Sequence, residues 1–68
     1  MNSLKSLDVV EVEISQGLFT EKKRYKYLFD EKTGEGCFVN REHTIVETPN
    51  TYKLLGNLKD DPTLTLTV

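Results

Sequence analysis

The sequence predicts a mainly β protein: a small antiparallel sheet or a partly open barrel of four to five strands in meander order. The chain contains no Ala but eight Thr and eight Val plus Ile, and β-branched side chains suit a pleated sheet better than a helix. Apolar and polar residues also alternate over several short segments that Gly, Pro and Asn separate. Because no linker or repeat interrupts this pattern, we expect one domain over 8–68, preceded by a flexible N-terminus over 1–7.

The first two strands are predicted from alternation over 8–15 and 22–29. Every second position on one face is apolar: Val10, Val12 and Ile14, then Tyr25, Tyr27 and Phe29. One antiparallel register agrees on both faces, and it pairs Val12 with Tyr25, Val10 with Tyr27, Glu13 with Arg24, and Glu11 with Lys26. A shift of one residue would mix apolar and charged side chains, so we predict this register.

The middle of the chain reads as two further strands. The polar segment 30–36 contains two Gly and predicts a hairpin loop. A third strand follows over 37–39, and its register on the second is left open because a Gly bulge would change it. The polar segment 40–43 is a bend or a continuing edge strand, and 44–48 reads as a strand that Pro49 ends.

The last third of the chain contains one ambiguous segment and one clear one. Residues 51–58 fit either a strand or irregular segment or a short helical turn near 51–56, because their apolar spacing suits both. A turn is predicted over 59–62. The segment 63–68 then alternates Thr with Leu or Val and carries no charge, so we predict a strand whose bare edge needs a partner.

Length and composition exclude several classes of protein. A chain of 68 residues forms a thin core without room for a deep substrate cavity. Its one Cys and one His provide neither an internal disulfide nor the ligands of a structural zinc site, and we expect no cofactor. The N-terminus has no signal-peptide pattern and no segment is apolar enough to span a membrane. We therefore expect a disulfide-free cytoplasmic protein, with oligomerisation as the remaining source of added stability.

Catalytic constellations are missing from the sequence, so the chain is predicted not to be an enzyme. Cys37 and His43 are the only nucleophile and base of the Cys–His kind. Six residues of extended chain would separate them by about 20 Å, which is too far for a proton transfer. Cys37 is more simply a packing residue. The acidic pair Asp60 and Asp61 precedes Pro62 and is typical of a turn.

The most basic segment also contains aromatic residues. It comprises Lys22, Lys23, Arg24, Tyr25, Lys26 and Tyr27. Basic residues that alternate with aromatic ones suit single-stranded nucleic acid, because phosphates bind the charges and bases stack on the rings. That function needs rings and charges on one face, whereas the alternation places them on opposite faces. A net charge of -2 also argues against nucleic acid.

The segment 26–39 resembles the start of a cold-shock domain. Its Lys26-Tyr27-Leu28-Phe29 strand leads through a polar turn into Gly36-Cys37-Phe38-Val39, like the Lys-aromatic strand and Gly-aromatic repeat of that family. Glu35 stands where the family has a base-stacking aromatic residue, and Cys37 adds a position. We interpret the likeness as convergence of hairpins and transfer no site residue from it.

The sequence thus predicts a small non-enzymatic protein-binding module that acts as a regulator, adaptor, inhibitor or assembly subunit. Its partner would be a larger protein, a second copy of the chain, or both. One predicted binding surface is the C-terminal edge, Thr63, Leu64, Thr65, Leu66, Thr67 and Val68. The other combines Arg41, Glu42 and His43 with Tyr52. The alternative is a single-stranded nucleic-acid-binding, barrel-like domain that uses the basic and aromatic segment 22–27.

Overall fold

A computed structural model describes residues 4–66. It contains one open antiparallel sheet and, among these residues, no helix. Its strands are β1 (Asp8–Gln16), β2 (Phe19–Asp30), β3 (Glu35–Val39), β4 (Ile45–Val46) and β5 (Lys53–Asn57). The predicted mainly β class is confirmed, in the form of an open sheet.

The strand order across the sheet is β4-β3-β2-β1-β5. The first four strands form the predicted meander, but β5 crosses back and pairs with β1 instead of β4. The ambiguous segment is therefore a strand, and the alternative of a helical turn is wrong. Leu55 is the extra residue where the register shifts, because Val9 pairs with Gly56 while Val10 pairs with Leu54. A bulge of this kind bends the strand that contains it.

The register of β1 on β2 differs from the predicted one by two residues. Val10 lies opposite Tyr25, Glu11 opposite Arg24, Glu13 opposite Lys22, and Gln16 opposite Phe19. A two-residue turn at Gly17 and Leu18 sets this register, since Gly17 has a φ of 60° and Leu18 does not have a positive φ. Gly at the first central position is typical of a tight hairpin turn. A two-residue shift keeps every side chain on its face, so facial agreement alone could not distinguish the two registers.

One side of the sheet, the aromatic face, carries the main core. Its buried residues are Val10, Val12 and Phe38, and Leu4, Ile14, Tyr25, Tyr27 and Val46 pack against them. The Phe38 ring contacts Tyr27 and Tyr52 at centroid distances of 5.2 and 6.0 Å. The Tyr27 ring also occupies the space where a side chain on Gly36 would begin. Gly36 therefore lets an aromatic ring lie directly on the backbone of β3.

The opposite side, the charged face, is not purely polar. Val9, Lys26 and Val39 form one row across three strands, and the exposed fractions of Val9 and Val39 are 0% and 3%. Leu64 lies over Gly56, which is paired with Val9. The alternation over 8–15 missed this second apolar patch because Val9 and Val10 are adjacent and face opposite sides.

Asp8 ties the N-terminal segment to β5. Its carboxylate accepts hydrogen bonds from the Lys5 backbone N–H at 2.7 Å and from the Asn57 amide at 2.8 Å. The flanking Leu7 donates to the Tyr27 carbonyl and accepts from the Leu58 N–H. Of the N-terminus expected to be flexible, 4–7 is thus fixed to the sheet, and 1–3 lie outside the described residues.

The C-terminal segment does not form the strand predicted over 63–68. Residues 63–66 have no strand pairing, and Thr67 and Val68 lie outside the described residues. Asp61 accepts bonds from the Thr63 N–H and hydroxyl, which closes a turn after Pro62. The position beside β1 is already occupied by β5, so the alternating pattern has no strand there to pair with.

Candidate protein-binding site

The β1–β2 hairpin extends beyond the strands that flank it. β5 accompanies β1 only as far as Glu11, and β3 accompanies β2 only from Lys26 to its end. Between these points the two strands pair with each other alone within the described part of the chain. We call residues 12–25 the ribbon. The molecule is correspondingly elongated, with extents of 42 × 27 × 25 Å.

The tip of the ribbon is apolar and exposed. The exposed fraction is 100% for Leu18 and 79% for Phe19, and every residue from 15 to 23 is exposed. Single exposed apolar residues are common on protein surfaces. Leu18 and Phe19 differ from such isolated residues because they are adjacent and lie at the end of a projecting hairpin. No described residue of the same chain covers them, so one pocket of a partner can reach both.

The ribbon has a free backbone edge on the β3 side. The Tyr27 carbonyl accepts a bond from Leu7, which precedes β1, so odd-numbered residues of β2 direct their backbone groups towards β1. Alternate residues of a strand point to opposite sides. The N–H and C=O groups of Thr20, Lys22 and Arg24 therefore point away from β1, and no strand among the described residues pairs with them. The chain after β3 turns back instead, with Asn40 bonded to Thr44.

A cleft of about 660 Å³ lies along this edge. Residues 20–25 form one wall, and Asn40, Arg41, Glu42, Val46 and Leu66 form the rest of the lining. Arg41 and Glu42 thus belong to the same cleft as the edge of β2. The cleft is open to solvent instead of being an enclosed cavity.

Basic residues outnumber acidic ones in the lining of the cleft, which contains Lys22, Lys23, Arg24 and Arg41 against Glu21 and Glu42. The Glu11 carboxylate lies 4.0 Å from Lys22 Nζ and 3.5 Å from Arg24 Nε, so one anion serves two cations. Arg24 Nε is buried and makes no hydrogen bond. The neighbouring Lys23 side chain makes no ion pair with a described residue. The predicted cross-strand charge pairing is found at Glu11, with Arg24 and Lys22 in place of Lys26; Glu13 lies opposite Lys22, but no ion pair joins these two described residues.

Residues 63–66 of the predicted C-terminal surface lie against the sheet instead of forming an open edge. Arg24 Nη1 donates to the Thr65 carbonyl at 3.3 Å, and Leu64 and Leu66 are half-buried. Leu66 is part of the cleft lining. Thr63 and Thr65 are exposed. A binding role for this segment stays a prediction, but a role as a free strand edge is not available to its described part.

The second predicted surface is divided between two places. Asn40 organises the turn that holds Arg41, Glu42 and His43, since its side-chain oxygen accepts bonds from the N–H groups of Glu42 and Thr44. His43 has a φ of 61°. Tyr52 contacts Phe38 on the aromatic face and is not part of the cleft lining to which Arg41 and Glu42 belong.

The residues proposed for nucleic acid are also separated by the sheet. Tyr25 and Tyr27 pack against the core of the aromatic face, whereas Lys22, Arg24 and Lys26 lie on the charged face by the observed register. Lys23 alone among these basic residues shares a face with the rings. Half-buried core rings are poor platforms for stacked bases.

The remaining chemistry of the chain is sparse. Cys37 is a half-buried free cysteine in β3, while His43 lies in the following turn. Residues 4–66 contain no group of His, Cys, Asp and Glu arranged to hold a metal ion. The Arg41 guanidinium, hydrogen-bonded to Glu42 at 2.9 Å, lowers the pKa of that exposed carboxyl below its ordinary value. Within the described residues there is also no helix of the length and hydrophobicity needed to cross a membrane.

Sequence reasoning missed the ribbon tip. Its signal was present: Gly17 and Leu18 separate two alternating segments by two residues, which is the shortest hairpin connection. Extending both strands to this turn would have given the correct register and left Leu18 and Phe19 at the end of the hairpin.

Comparisons with known proteins give no identification. No family model, no curated protein and no solved structure matches the chain. The function must therefore be argued from the site itself.

Proposed function

We propose that this chain is a small non-enzymatic protein-binding module that docks on a larger protein through the ribbon. The observation that carries the proposal is the full exposure of Leu18 beside Phe19, at 79%, on the tip of a projecting hairpin. Apolar and aromatic side chains at such a position act as anchors in a partner pocket, where they are fully desolvated on binding.

The sheet supports this role mechanically. The two-residue turn at Gly17 fixes the conformation of the tip before binding, so little conformational entropy is lost on docking. The base of the ribbon is held by Val10 and Val12, which are buried in the core. A regulator, adaptor, inhibitor or assembly subunit can all use such a projecting element, and the partner decides which of these roles applies.

Site-specific photo-crosslinking in the source cell tests the proposal. A photo-reactive phenylalanine analogue replaces Phe19 in one form of the protein and Tyr52 in a control form. We expect a discrete adduct with one larger protein from position 19 only, and loss of that adduct on Leu18→Ser. The matched control for the serine substitution is Ile45→Ser, which changes another exposed aliphatic residue, 69% exposed, and should leave the adduct intact.

Three results would overturn the proposal. They are adducts of equal intensity from positions 19 and 52, an adduct that survives Leu18→Ser, and an adduct with nucleic acid in place of protein. An adduct with a second copy of the chain would overturn the choice of a larger protein as the partner and would indicate self-association. Light scattering across concentration would show such self-association independently.

A further inference from the structure

We infer that the free edge of β2 binds an extended acidic segment of a partner protein by strand addition in the cleft. The inference rests on the proposed function, since it assigns a second contact on the same ribbon. Three observations carry it: unpaired backbone groups on β2, an adjoining open cleft, and a cleft lining in which basic residues outnumber acidic ones.

The backbone argument concerns Thr20, Lys22 and Arg24. Their three outward N–H groups and three outward C=O groups repeat at every second residue, which matches the spacing of an added strand. Unpaired edges of this kind are normally protected by Lys and other charged side chains, by a bulge, by a Pro or by a covering element. Here Lys22, Lys23 and Arg24 protect the edge against a strand of like charge but not against an acidic one. Residues 19–25 contain no Pro, and the observed β1–β2 register is regular throughout.

The charge argument selects an acidic occupant. An added strand places its side chains beside Lys22 and Arg24 on one face and beside Lys23 on the other. Carboxylates at three consecutive positions of the occupant would therefore each meet a cation, and each such cross-strand pair favours binding. Lys22 is available for this because its ion pair with the shared Glu11 is long, at 4.0 Å, and its side chain is 54% exposed.

The same charges disfavour the other occupants of an edge. In a second copy paired antiparallel through this edge about Lys22, Lys23 and Glu21 would pair favourably but the two Lys22 side chains would lie opposite each other, whereas an acidic strand meets a cation at all three positions. A basic segment would meet three cations. The acidic segment is thus the occupant to which the described residues are complementary.

The test uses the whole chain and a short peptide of Thr, Val and three consecutive Glu, acetylated and amidated. A matched peptide carries Lys in place of Glu. Fluorescence polarisation should show binding of the acidic peptide that weakens as salt is added, with the Lys peptide at least about tenfold weaker. The double substitution Lys22→Glu, Lys23→Glu should weaken the acidic peptide by about tenfold or more.

Backbone pairing is tested separately from charge. Two further acidic peptides carry N-methyl groups on alternate amides, one on the odd positions and one on the even positions. An added strand donates from only one of these sets, so one peptide should lose binding by about tenfold and the other should keep it. Equal binding of both methylated peptides would show attraction by charge alone and would overturn strand addition.

A substitution in the protein gives the reciprocal test. Lys22→Pro removes an outward N–H and leaves the pairing of β2 with β1 in place, as Pro is tolerated on edge strands. This substitution should reduce binding of the unmethylated acidic peptide to the level of the methylated peptide that loses binding. Lys22→Gln removes the same charge but keeps the N–H, and it should lose much less. If Lys22→Pro fails to fold, the methylated peptides still decide the question.

The outcome is distinguishable from failure of the proposed function. Leu18→Ser should abolish the crosslink at position 19 without changing peptide affinity. If the acidic peptide does not bind at low salt while the crosslink forms, the edge inference fails and the docking proposal stands. If the acidic peptide binds but the tip crosslinks no protein, the docking proposal fails and the binding of an acidic segment at the edge of β2 stands.

Discussion

The β1–β2 hairpin has two halves: the ribbon, residues 12–25, and the base, residues 8–11 of β1 with 26–30 of β2. Both halves belong to the same two strands, but they differ in burial and in the strands that flank them. In the base, Val9 and Val10 are fully buried because β5 and β3 flank the pair and side chains cover both faces. In the ribbon, Leu18 is fully exposed because no flanking strand reaches it. Strand pairing alone therefore does not bury apolar side chains in this protein; the neighbouring strands and the segments folded over them do.

The largest expected effect comes from breaking the base. Val10→Ala removes two buried methyl groups and should lower the free energy of unfolding by about 2–3 kcal/mol, from lost transfer energy and the cavity left behind. Urea denaturation followed by circular dichroism measures the change. Ile45→Ala is the control, since that side chain is mostly exposed and should cost less than about 0.5 kcal/mol. Equal losses for the two variants would contradict the division between base and surface.

A smaller loss is expected from the clamp that holds β5 beside the base. Asp8→Ala leaves the Lys5 N–H and the Asn57 amide without their acceptor, at a cost of about 1–3 kcal/mol. The same denaturation assay measures it. Asp8→Asn keeps one acceptor oxygen and should recover part of the loss. A neutral Asp8→Ala would show that β5 is held by packing alone.

The ribbon tip should tolerate substitution without loss of stability. Leu18→Ser changes a side chain that contacts solvent, and we expect a change within about 0.5 kcal/mol. Native-state hydrogen exchange sharpens the comparison, because amides of the ribbon should exchange through local opening while those of Val9 and Val10 exchange only on global unfolding. Similar protection in both halves would contradict the comparison.

The smallest effect is expected at the exposed pair beside the cleft. Arg41→Ala removes the hydrogen bond that lowers the pKa of Glu42, so that pKa should return towards its ordinary value in an NMR titration. A lowered folded-state pKa contributes stability above the unfolded-state value, and this contribution is lost as pH falls through the folded-state pKa. The wild type should therefore be slightly more acid-sensitive than Arg41→Ala. Full exposure keeps the difference small.

Much of the fold could be predicted from local pattern. The alternation over 8–15 and 22–29 identified the first two strands. It also showed on which face of the sheet their side chains lie, because side-chain direction in a strand repeats every two residues. The loop after β2 and the strands β3 and β4 were also predictable, since Gly and Pro mark them. Their bounds differ from the prediction, because β3 already begins at Glu35 and β4 is limited to Ile45–Val46. The candidate site was only partly predictable: Arg41, Glu42 and Leu66 line the cleft, whereas Tyr52 is not in its lining and residues 63–66 form no strand.

The sequence by itself determined that the chain forms antiparallel strands and which side chains share a face, because these follow from periodicity and β-branched composition. Only the tertiary structure decided which strand covers β1. The segments 53–57 and 63–68 both suit a strand, and the position beside β1 accepts one of them. In the structure β5 takes the position beside β1. Leu64 lies over Gly56, and the Thr65 carbonyl accepts a hydrogen bond from Arg24. The same choice left the far half of the hairpin without flanking strands, and this is the surface that we propose for a partner.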